Sequence, residues 1–189
     1  MNKTQKAFRI MPAAALAAML TLAFSAAMTK DTKAAKPPKP PKSVVVKMQD
    51  GQGKDAGTAT LSSATGGVKI KLNLHGLTPG EHGLHVHQAA KCEGPDFKSA
   101  GGHFNPDGKH HGLQNAEGPH AGDVPNFKAD AKGNAKVTVT APNVTLSDGP
   151  HSVFTGGGTS LVVHAKADDG KTDPSGNSGD RIACGVITK

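Results

Sequence analysis

Two histidines are spaced for a β-strand within residues 83–88, which read GLHVHQ. Successive side chains of a strand point to opposite faces, so Leu84 and Val86 would share one face and His85 and His87 the other. Two imidazoles that converge outside a packed sheet can bind a metal ion through their ring nitrogens. Two histidines on a solvated strand face would have the same spacing. The stretch therefore raises a metal-binding hypothesis without deciding it.

The stretch 94–126 contains four more histidines, together with seven glycines and four prolines. A loop of this length is uncommon in a compact domain unless it has a function. Ordering it costs about 1–2 kcal/mol of backbone entropy per residue, which so few apolar residues would not offset. A metal ion in the middle and a disulfide at one end would stabilise it. Three imidazoles and one carboxylate would suit zinc. The candidate ligands are His103, His110, His111, His120 and Asp123.

A further histidine, His164, ends the apolar run SLVVH. By strand alternation it lies on the face opposite Leu161 and Val163. It therefore resembles His85 and His87, since each would lie on the outer face of a strand whose other face is core. If these strands are neighbours in a sheet, three imidazoles would face the underside of the long loop.

The strands that would position these histidines are short. The runs VKIKLNL at 68–74 and AKVTVTA at 135–141 alternate between apolar and polar residues. Gly, Pro, Asn and Asp clusters separate the runs, and no window has an apolar period of 3.6 residues. The pattern predicts an all-β fold, a sandwich or small barrel. The other predicted strands are 43–50, 57–63, 160–164 and 182–187.

The N-terminal segment has the composition of a secretory signal. Basic residues up to Arg9 precede a long uncharged, alanine-rich run with small residues at 25–27. We expect residues 1–27 to be a cleaved signal peptide, although about 20 uncharged residues also leave an uncleaved membrane anchor open. Residues 28–42, rich in lysine and proline, are expected to form a disordered, extended tether. The folded domain would then span residues 43–189.

The formal net charge of +7 comes from these leading segments, because residues 43–189 contain 14 basic and 14 acidic residues. We therefore predict no nucleic-acid partner, since the folded part would carry no basic stripe. The lysines of the tether could still contact a membrane or cell wall. An exported location (periplasmic, secreted or attached to the cell envelope) is oxidising, so Cys92 and Cys184 are expected to form a disulfide.

Five motifs of this chain occur, in the same order, in a known enzyme family. They are HGLHVHQ, GGHFNPDGKHHG, GPHAGD, LVVHAKADD and GDRIACGVI. Over roughly residues 43–189 the chain resembles the copper–zinc superoxide dismutases, in their exported bacterial form. The resemblance implies an eight-stranded Greek-key β-barrel with a long metal-binding loop, which agrees with the strand pattern above.

The resemblance also implies one copper and one zinc ion per subunit, with His103 bound to both as a bridging imidazolate. His110, beside the matching position, is expected to be exposed, and His82 to be structural. Carried over by motif position, copper would take His85, His87, His103 and His164. Zinc would take His103, His111, His120 and Asp123.

Four further residues receive roles from the same resemblance. Asp168 would accept hydrogen bonds from the far nitrogens of His85 and His111. The alternative is that Asp168 is only an exposed acid at the start of a loop. Arg181 would line the opening of the copper site and hold an anionic substrate, whereas Lys171 receives no role. Cys92 and Cys184 match the family's disulfide.

The implied activity is dismutation of superoxide to dioxygen and hydrogen peroxide, with His103 and Arg181 as the catalytic residues. An exported module that binds copper or zinc without catalysis is the alternative. Loss of a copper ligand or of the arginine would favour it, and neither is missing. A homodimer and a monomer both stay open.

Overall fold

The computed structural model describes residues 41–189, which form eight strands and two 3-10 helices, at Lys98–Ala100 and Thr155–Gly157. The predicted signal peptide and nearly all of the predicted tether lie outside the described residues. Among residues 41–189, no helix is long and apolar enough to cross a membrane. The strands are β1 (Ser43–Asp50), β2 (Asp55–Ala64), β3 (Gly67–Leu74), β4 (Gly80–His87), β5 (Asp123–Ala129), β6 (Ala135–Ala141), β7 (Thr159–His164) and β8 (Arg181–Ile187).

All strand pairs are antiparallel, in the order β5-β4-β7-β8-β1-β2-β3-β6. The two end strands, β5 and β6, pack against each other, so the sheet is a nearly closed barrel. The predicted all-β, eight-stranded fold is thus confirmed. Strand β3 shows how the sequence specifies it, because Ile70 and Leu72 are buried while Lys69 and Lys71 are exposed.

Strand β5 corrects the prediction of a structureless stretch from 94 to 126. Its sequence, DVPNFKA, contains Pro125 and does not alternate cleanly. Proline removes a backbone donor and is confined to edge positions or bulges. Here β5 is an end strand of the sheet, and its pairing with β4 shifts register between His82 and Leu84. A strand of this kind has no period-2 signal, so the alternation rule missed it.

The long loop also holds more apolar contact than its composition indicates. Phe97 and Ala100 are fully buried and pack with Val162 and Cys184 in a small second core outside the main one. The predicted disulfide between Cys92 and Cys184 is present and joins the loop to β8. The loop is therefore anchored by packing and a covalent bond, and not only by its histidines.

Candidate metal centre

Four imidazoles from three parts of the fold meet beneath the long loop. Strand β4 supplies His85 and His87, the end of β7 supplies His164, and the loop supplies His103. Strands β4 and β7 are hydrogen-bonded neighbours, and His103 forms an isolated β-bridge with His87. All four residues are buried, and one ligand nitrogen from each lies within 4.8 Å of the others.

Two of the inner nitrogens of these four rings have no hydrogen-bond partner in the described part of the chain, and the other two lie within hydrogen-bond distance of each other. His85 Nδ1 and His103 Nε2 are buried without any hydrogen-bond partner among the described residues. His87 Nε2 and His164 Nε2 lie 3.4 Å apart. An unpartnered buried nitrogen costs free energy, so a four-nitrogen set of this kind fits a metal ion such as copper.

The outer nitrogens of the same rings are held by fixed acceptors. His85 Nε2 donates to Asp168 Oδ2 at 2.7 Å, and His87 Nδ1 donates to the Gly101 carbonyl at 2.9 Å. His164 Nδ1 donates to the Gly179 carbonyl at 3.1 Å. Each bond selects the tautomer whose inner nitrogen carries a lone pair, which is the form that binds metals.

A second group surrounds the carboxylate of Asp123 at the start of β5. His103 Nδ1 lies 2.9 Å, His111 Nδ1 3.0 Å and His120 Nδ1 3.4 Å from Asp123 Oδ1. The backbone N–H groups of Gly112 and His120 donate to the other carboxylate oxygen. Three nitrogens and one oxygen fit the tetrahedral preference of zinc.

His103 belongs to both groups, through a different nitrogen in each. Its Nδ1 faces Asp123 and its unpartnered Nε2 faces the other imidazoles. One nitrogen of His85 lies within 4.8 Å of ligand atoms of His103, His111 and Asp123, so by this distance His85 joins the second group and the predicted ligand His120 does not. His120 Nδ1 nevertheless lies 3.4 Å from Asp123 Oδ1. The predicted ligands of the two sites are thus brought together around one shared ring.

Asp168 connects the two groups from outside. It accepts a hydrogen bond from His111 Nε2 at 3.0 Å in addition to the bond from His85. Its own backbone is fixed by Asn126, whose side chain bonds both the N–H and the carbonyl of Asp168. A Cβ at Gly176, where φ is +62°, would lie 1.8 Å from Asp168 Oδ1, so only glycine fits there.

Burial dominates the protonation of the first group. It lowers the pKa of His85, His103 and His164 to about 4, and the pKa of His87 falls well below 6.5 for the same reason. The positive charge of Arg181 lowers the pKa of His87 and His164 further. These rings are therefore neutral at physiological pH, as metal ligands must be.

His111 behaves in the opposite way in the absence of a metal ion. Burial alone would lower its pKa, but hydrogen bonds to Asp123 and Asp168 outweigh burial and raise the pKa to about 9. The same contacts hold the pKa of both carboxyl groups below the usual range, even though burial acts to raise it. A cation is therefore favoured at this position, where a zinc ion would take the place of the proton.

The loop that carries the second group is fastened to the loop that follows β7. Asp173 accepts hydrogen bonds from the backbone N–H of His111 and from His110 Nδ1. The side-chain amide of Asn115 donates to the Lys171 carbonyl at 3.3 Å. His110 is exposed, as expected, and its side chain contacts Asp173 rather than the buried ligand candidates.

Arg181 lies at the surface beside the first group. Its Nη1 donates to the Phe97 carbonyl at 2.8 Å, and it lines a cavity together with Lys98 and Gly179. Burial lowers its pKa from 12.5, without removing its charge. Its positive charge lies close enough to lower the pKa of His87 and His164, and Asp96 and Asp180 line the same cavity.

Three histidines besides His110 lie outside both groups. His82 is buried and bonds the carbonyls of His164 and Thr78, at 2.7 and 2.8 Å, which agrees with its expected structural role. His75 is exposed beside Asp55, and His151 is half-buried beside Asp107. None of the three faces the metal-ligand candidates.

Residues 55–187 match the protein family described as copper/zinc superoxide dismutase (SODC). The chain belongs to the copper/zinc superoxide dismutase family. The superoxide dismutase [Cu-Zn] 2 of Aquifex aeolicus is 55% identical over 138 residues, covering 72% of this chain and 81% of that protein. The superoxide dismutase [Cu-Zn] of Caulobacter vibrioides is 45% identical over 148 residues, covering 77% of this chain and 85% of that protein.

Solved structures of superoxide dismutases and related proteins superpose on this chain. A SOD-like protein from Bacillus subtilis superposes with a TM-score of 0.73 at 38% identity, covering 76% of this chain and 97% of that one. The Cu/Zn superoxide dismutase of Brucella abortus superposes with a TM-score of 0.63 at 36% identity, covering 77% of this chain and 99% of that one. The fold and the family thus agree with the resemblance drawn from the five motifs.

Several residues of this superoxide dismutase family site have no signal in the sequence. Asn126 and Asp173 hold their partners across 42 and 62 residues. Isolated Asn and Asp residues in loops are common, so neither type nor spacing marks them. Gly176 and Gly112 were equally indistinguishable from the other loop glycines.

Proposed function

We propose that this protein is an exported superoxide dismutase that binds one copper and one zinc ion per subunit. One observation carries the proposal. His103 presents a buried, unpartnered Nε2 to three other imidazoles while its Nδ1 faces Asp123 and two further imidazoles. Two metal sites that share one ring distinguish this arrangement from two independent sites, and the chain that carries it belongs to the copper/zinc superoxide dismutase family.

The two donor sets differ in a way that suits different ions. The four-nitrogen set of His85, His87, His103 and His164 would hold copper. The set of His103, His111, His120 and Asp123 would hold zinc. When bound, copper supplies a one-electron redox couple that zinc lacks, which oxidises one superoxide to dioxygen and reduces a second to hydrogen peroxide.

His103 would handle one of the two protons that peroxide formation consumes. Its Nε2 takes up a proton in one half of the cycle and releases it to the reduced substrate in the other. Nδ1 lies 2.9 Å from Asp123 Oδ1, and a zinc ion bound by both atoms would hold the ring from that side. Asp168 acts on orientation, because it holds the outer nitrogens of His85 and His111.

Arg181 would bind the substrate anion. Residues 43–189 contain equal numbers of acidic and basic groups, so net charge does not attract superoxide to the domain. A cationic side chain at the site opening attracts it locally, and such focusing raises association rates of small anions by about 10–1,000-fold.

Export and domain organisation complete the proposal. We assign residues 1–27 to a signal peptide, 28–42 to a tether and 43–189 to the dismutase domain. The disulfide between Cys92 and Cys184 supports an oxidising compartment, in the periplasm, at the envelope or outside the cell. Mass analysis of the mature N-terminus tests this, and a mature protein that starts at Met1 would contradict cleavage.

The experiment measures superoxide consumption by protein loaded with counted copper and zinc, against the variant Arg181→Ala. We expect the variant to be about tenfold slower or more, with a weaker dependence on ionic strength. Lys132→Ala is the matched control, since it removes one exposed lysine in the turn between β5 and β6 and should leave rate and salt dependence unchanged. Loaded protein that binds both metals without consuming superoxide would instead identify a metal-binding module.

A further inference from the structure

The outer face of four neighbouring strands, β1, β2, β3 and β6, has an unusual composition. Its outward positions include four lysines and six hydroxyl residues, and the exposed Asp55 at the start of β2 lies at its border, where it contacts His75. We call it the lysine–threonine face. It consists of Ser43, Val45, Lys47, Thr58, Thr60, Ser62, Lys69, Lys71, Asn73, Lys136, Thr138 and Thr140.

Strand register arranges these residues in rows. One row runs from Lys47 through Thr58 and Asn73 to Lys136, and the next includes Lys71 beside Thr138. Neighbours within a row are about 4.8 Å apart, and successive rows on one face are separated by about 6.6 Å. Lysines and hydroxyl groups therefore form a regular array across the four strands.

The lysines of this face are unpaired within residues 41–189. The lysine ion pairs of the described chain are those of Lys98 with Asp96 and of Lys189 with Asp148. A solubilising surface ordinarily mixes both signs of charge. This face carries only one sign, although the domain as a whole is formally neutral. Summing the charges of the domain hides this segregation, so the expectation that the folded part carries no basic stripe missed this face.

The face also contains a groove. A groove of about 460 Å³ is lined by Lys71 and Lys136 together with Thr58, Thr60 and Thr138. Two cations and three hydroxyl groups thus surround one depression. An anionic group on a hydroxyl-rich polymer would find both a charge partner and hydrogen-bond partners there.

We propose that the lysine–threonine face binds an anionic polysaccharide. Other polyanions fit less well. Single-stranded nucleic acid is held by aromatic stacking, and the face has no aromatic residue and no arginine. A membrane surface would call for large apolar side chains, and Val45 is the only apolar residue of the face. A flexible sugar polymer can follow a convex barrel wall, and its hydroxyl groups match the threonines and serines.

The test uses the full chain and dextran sulfate as the probe, with uncharged dextran as the blank. The variant Lys69→Gln/Lys71→Gln/Lys136→Gln removes three charges from the face. Its matched control, Lys54→Gln/Lys128→Gln/Lys132→Gln, removes three exposed charges elsewhere. Lysines of residues 1–42 are identical in all proteins, so any difference between the two variants belongs to the face.

We expect the face variant to bind at least about tenfold more weakly at about 50 mM salt, with a salt slope lower by about two to three, and the control to bind like the unchanged protein. Superoxide consumption and melting temperature should be equal in all three. Should the triple variant fold poorly, Lys71→Gln and Lys136→Gln singly should each give part of the loss. Equal binding by face variant and control would overturn the proposal.

Competition separates polysaccharide recognition from charge alone. Polygalacturonate should displace dextran sulfate better than polyglutamate, single-stranded oligothymidylate or phosphatidylglycerol vesicles at equal charge concentration. Displacement by any of the last three as effective as that by polygalacturonate would overturn the assignment to a polysaccharide. Because the face lies outside the metal-ligand groups, this result is independent of the dismutase proposal.

Discussion

A single imidazole, His103, determines how the two ligand groups depend on each other. His103 presents Nδ1 to Asp123 and a buried, unpartnered Nε2 to the opposite side, and His85 is the other ring with a nitrogen within 4.8 Å of ligand atoms in both groups. Removing a ligand of one group should therefore leave the other largely intact, while removing the shared ring should weaken both. This asymmetry follows from side-chain position alone, since all the rings are chemically equivalent.

The first prediction compares His103→Ala with His87→Ala. We expect His87→Ala to lose copper and keep zinc, because its ring contacts only the first group. His103→Ala should retain less of both ions, as it removes one donor from each set. Metal counting after dialysis against a chelator measures this. An H103A protein that keeps a full complement of zinc would contradict the shared site.

For single residues, the sequence predicts which histidines lie together, but it does not predict the residues that hold them in place by hydrogen bonds. Alternation of side chains along β4 and β7 predicted that His85, His87 and His164 lie on the same side of the sheet, because alternation along a strand is a local rule. The choice of His111 over its neighbour His110 came from resemblance, not from the residues. Asn126 could not be found, because its contact with Asp168 is made only when two distant loops fold together.

The element that controls the second ligand group is a pair of loops. One loop carries His111 and the other carries Asp173, which accepts the backbone N–H of His111. At Gly112 a Cβ would lie 2.1 Å from the Gly170 carbonyl oxygen, so the two backbones touch directly. The loop after β7 thus supports the first loop, although it supplies no predicted zinc ligand of its own.

The second prediction concerns Asp173→Asn. The substitution removes the charge that attracts His110 and weakens the acceptor for the His111 N–H group. We expect zinc to be released to a chelator about tenfold faster, as is usual when a supporting contact of a ligand is lost. The exposed Asp180→Asn serves as the control. Zinc release rates equal to those of the control would show that the contact of Asp173 with His111 does not stabilise the zinc site.

Prediction of elements from the sequence succeeded where one face of a strand is core and the other is solvent. Strands β3 and β6 are of this kind. Strand β7 was also predicted, at 160–164, although the second core covers its outer side and its run of apolar residues shows no alternation. Strand β5 was missed because Pro125 and a register shift disrupt its pattern.

Across the whole molecule, the disulfide joins positions 92 residues apart. Closing a loop of this length restricts the unfolded chain and contributes about 4–5 kcal/mol in the chain-entropy model. The third prediction is that Cys92→Ser/Cys184→Ser lowers the free energy of unfolding by about this amount, measured by denaturant titration. Reduction of the unchanged protein should give a similar loss. A variant as stable as the oxidised protein would contradict it.

The fourth prediction is the pH dependence of the metal-free protein. His85, His103 and His164 have a folded pKa of about 4, below their unfolded value near 6.5. Between these values the unfolded chain binds more protons, so stability falls as pH drops from 6.5 to about 4. His111 has a folded pKa of about 9, so its contribution is complete below pH 6.5 and is lost as pH rises toward 9.

Chelator-treated protein should therefore be most stable near pH 6.5. Melting temperatures between pH 4 and 9 measure this, and metal-loaded protein provides the comparison. A melting temperature that increases steadily from pH 6.5 down to pH 4 would be incompatible with neutral buried imidazoles.

The division of ligand candidates between strands and loop bears on the order of assembly. His85, His87 and His164 stand on hydrogen-bonded strands of the barrel, whereas His103, His111 and His120 come from the long loop. A newly made chain whose barrel has closed ahead of its loop would already display three converging imidazoles, open on one side. What such a partly folded chain captured would depend on the affinity of three imidazoles for each divalent ion, which is highest for copper, and on the supply of that ion while the loop folds.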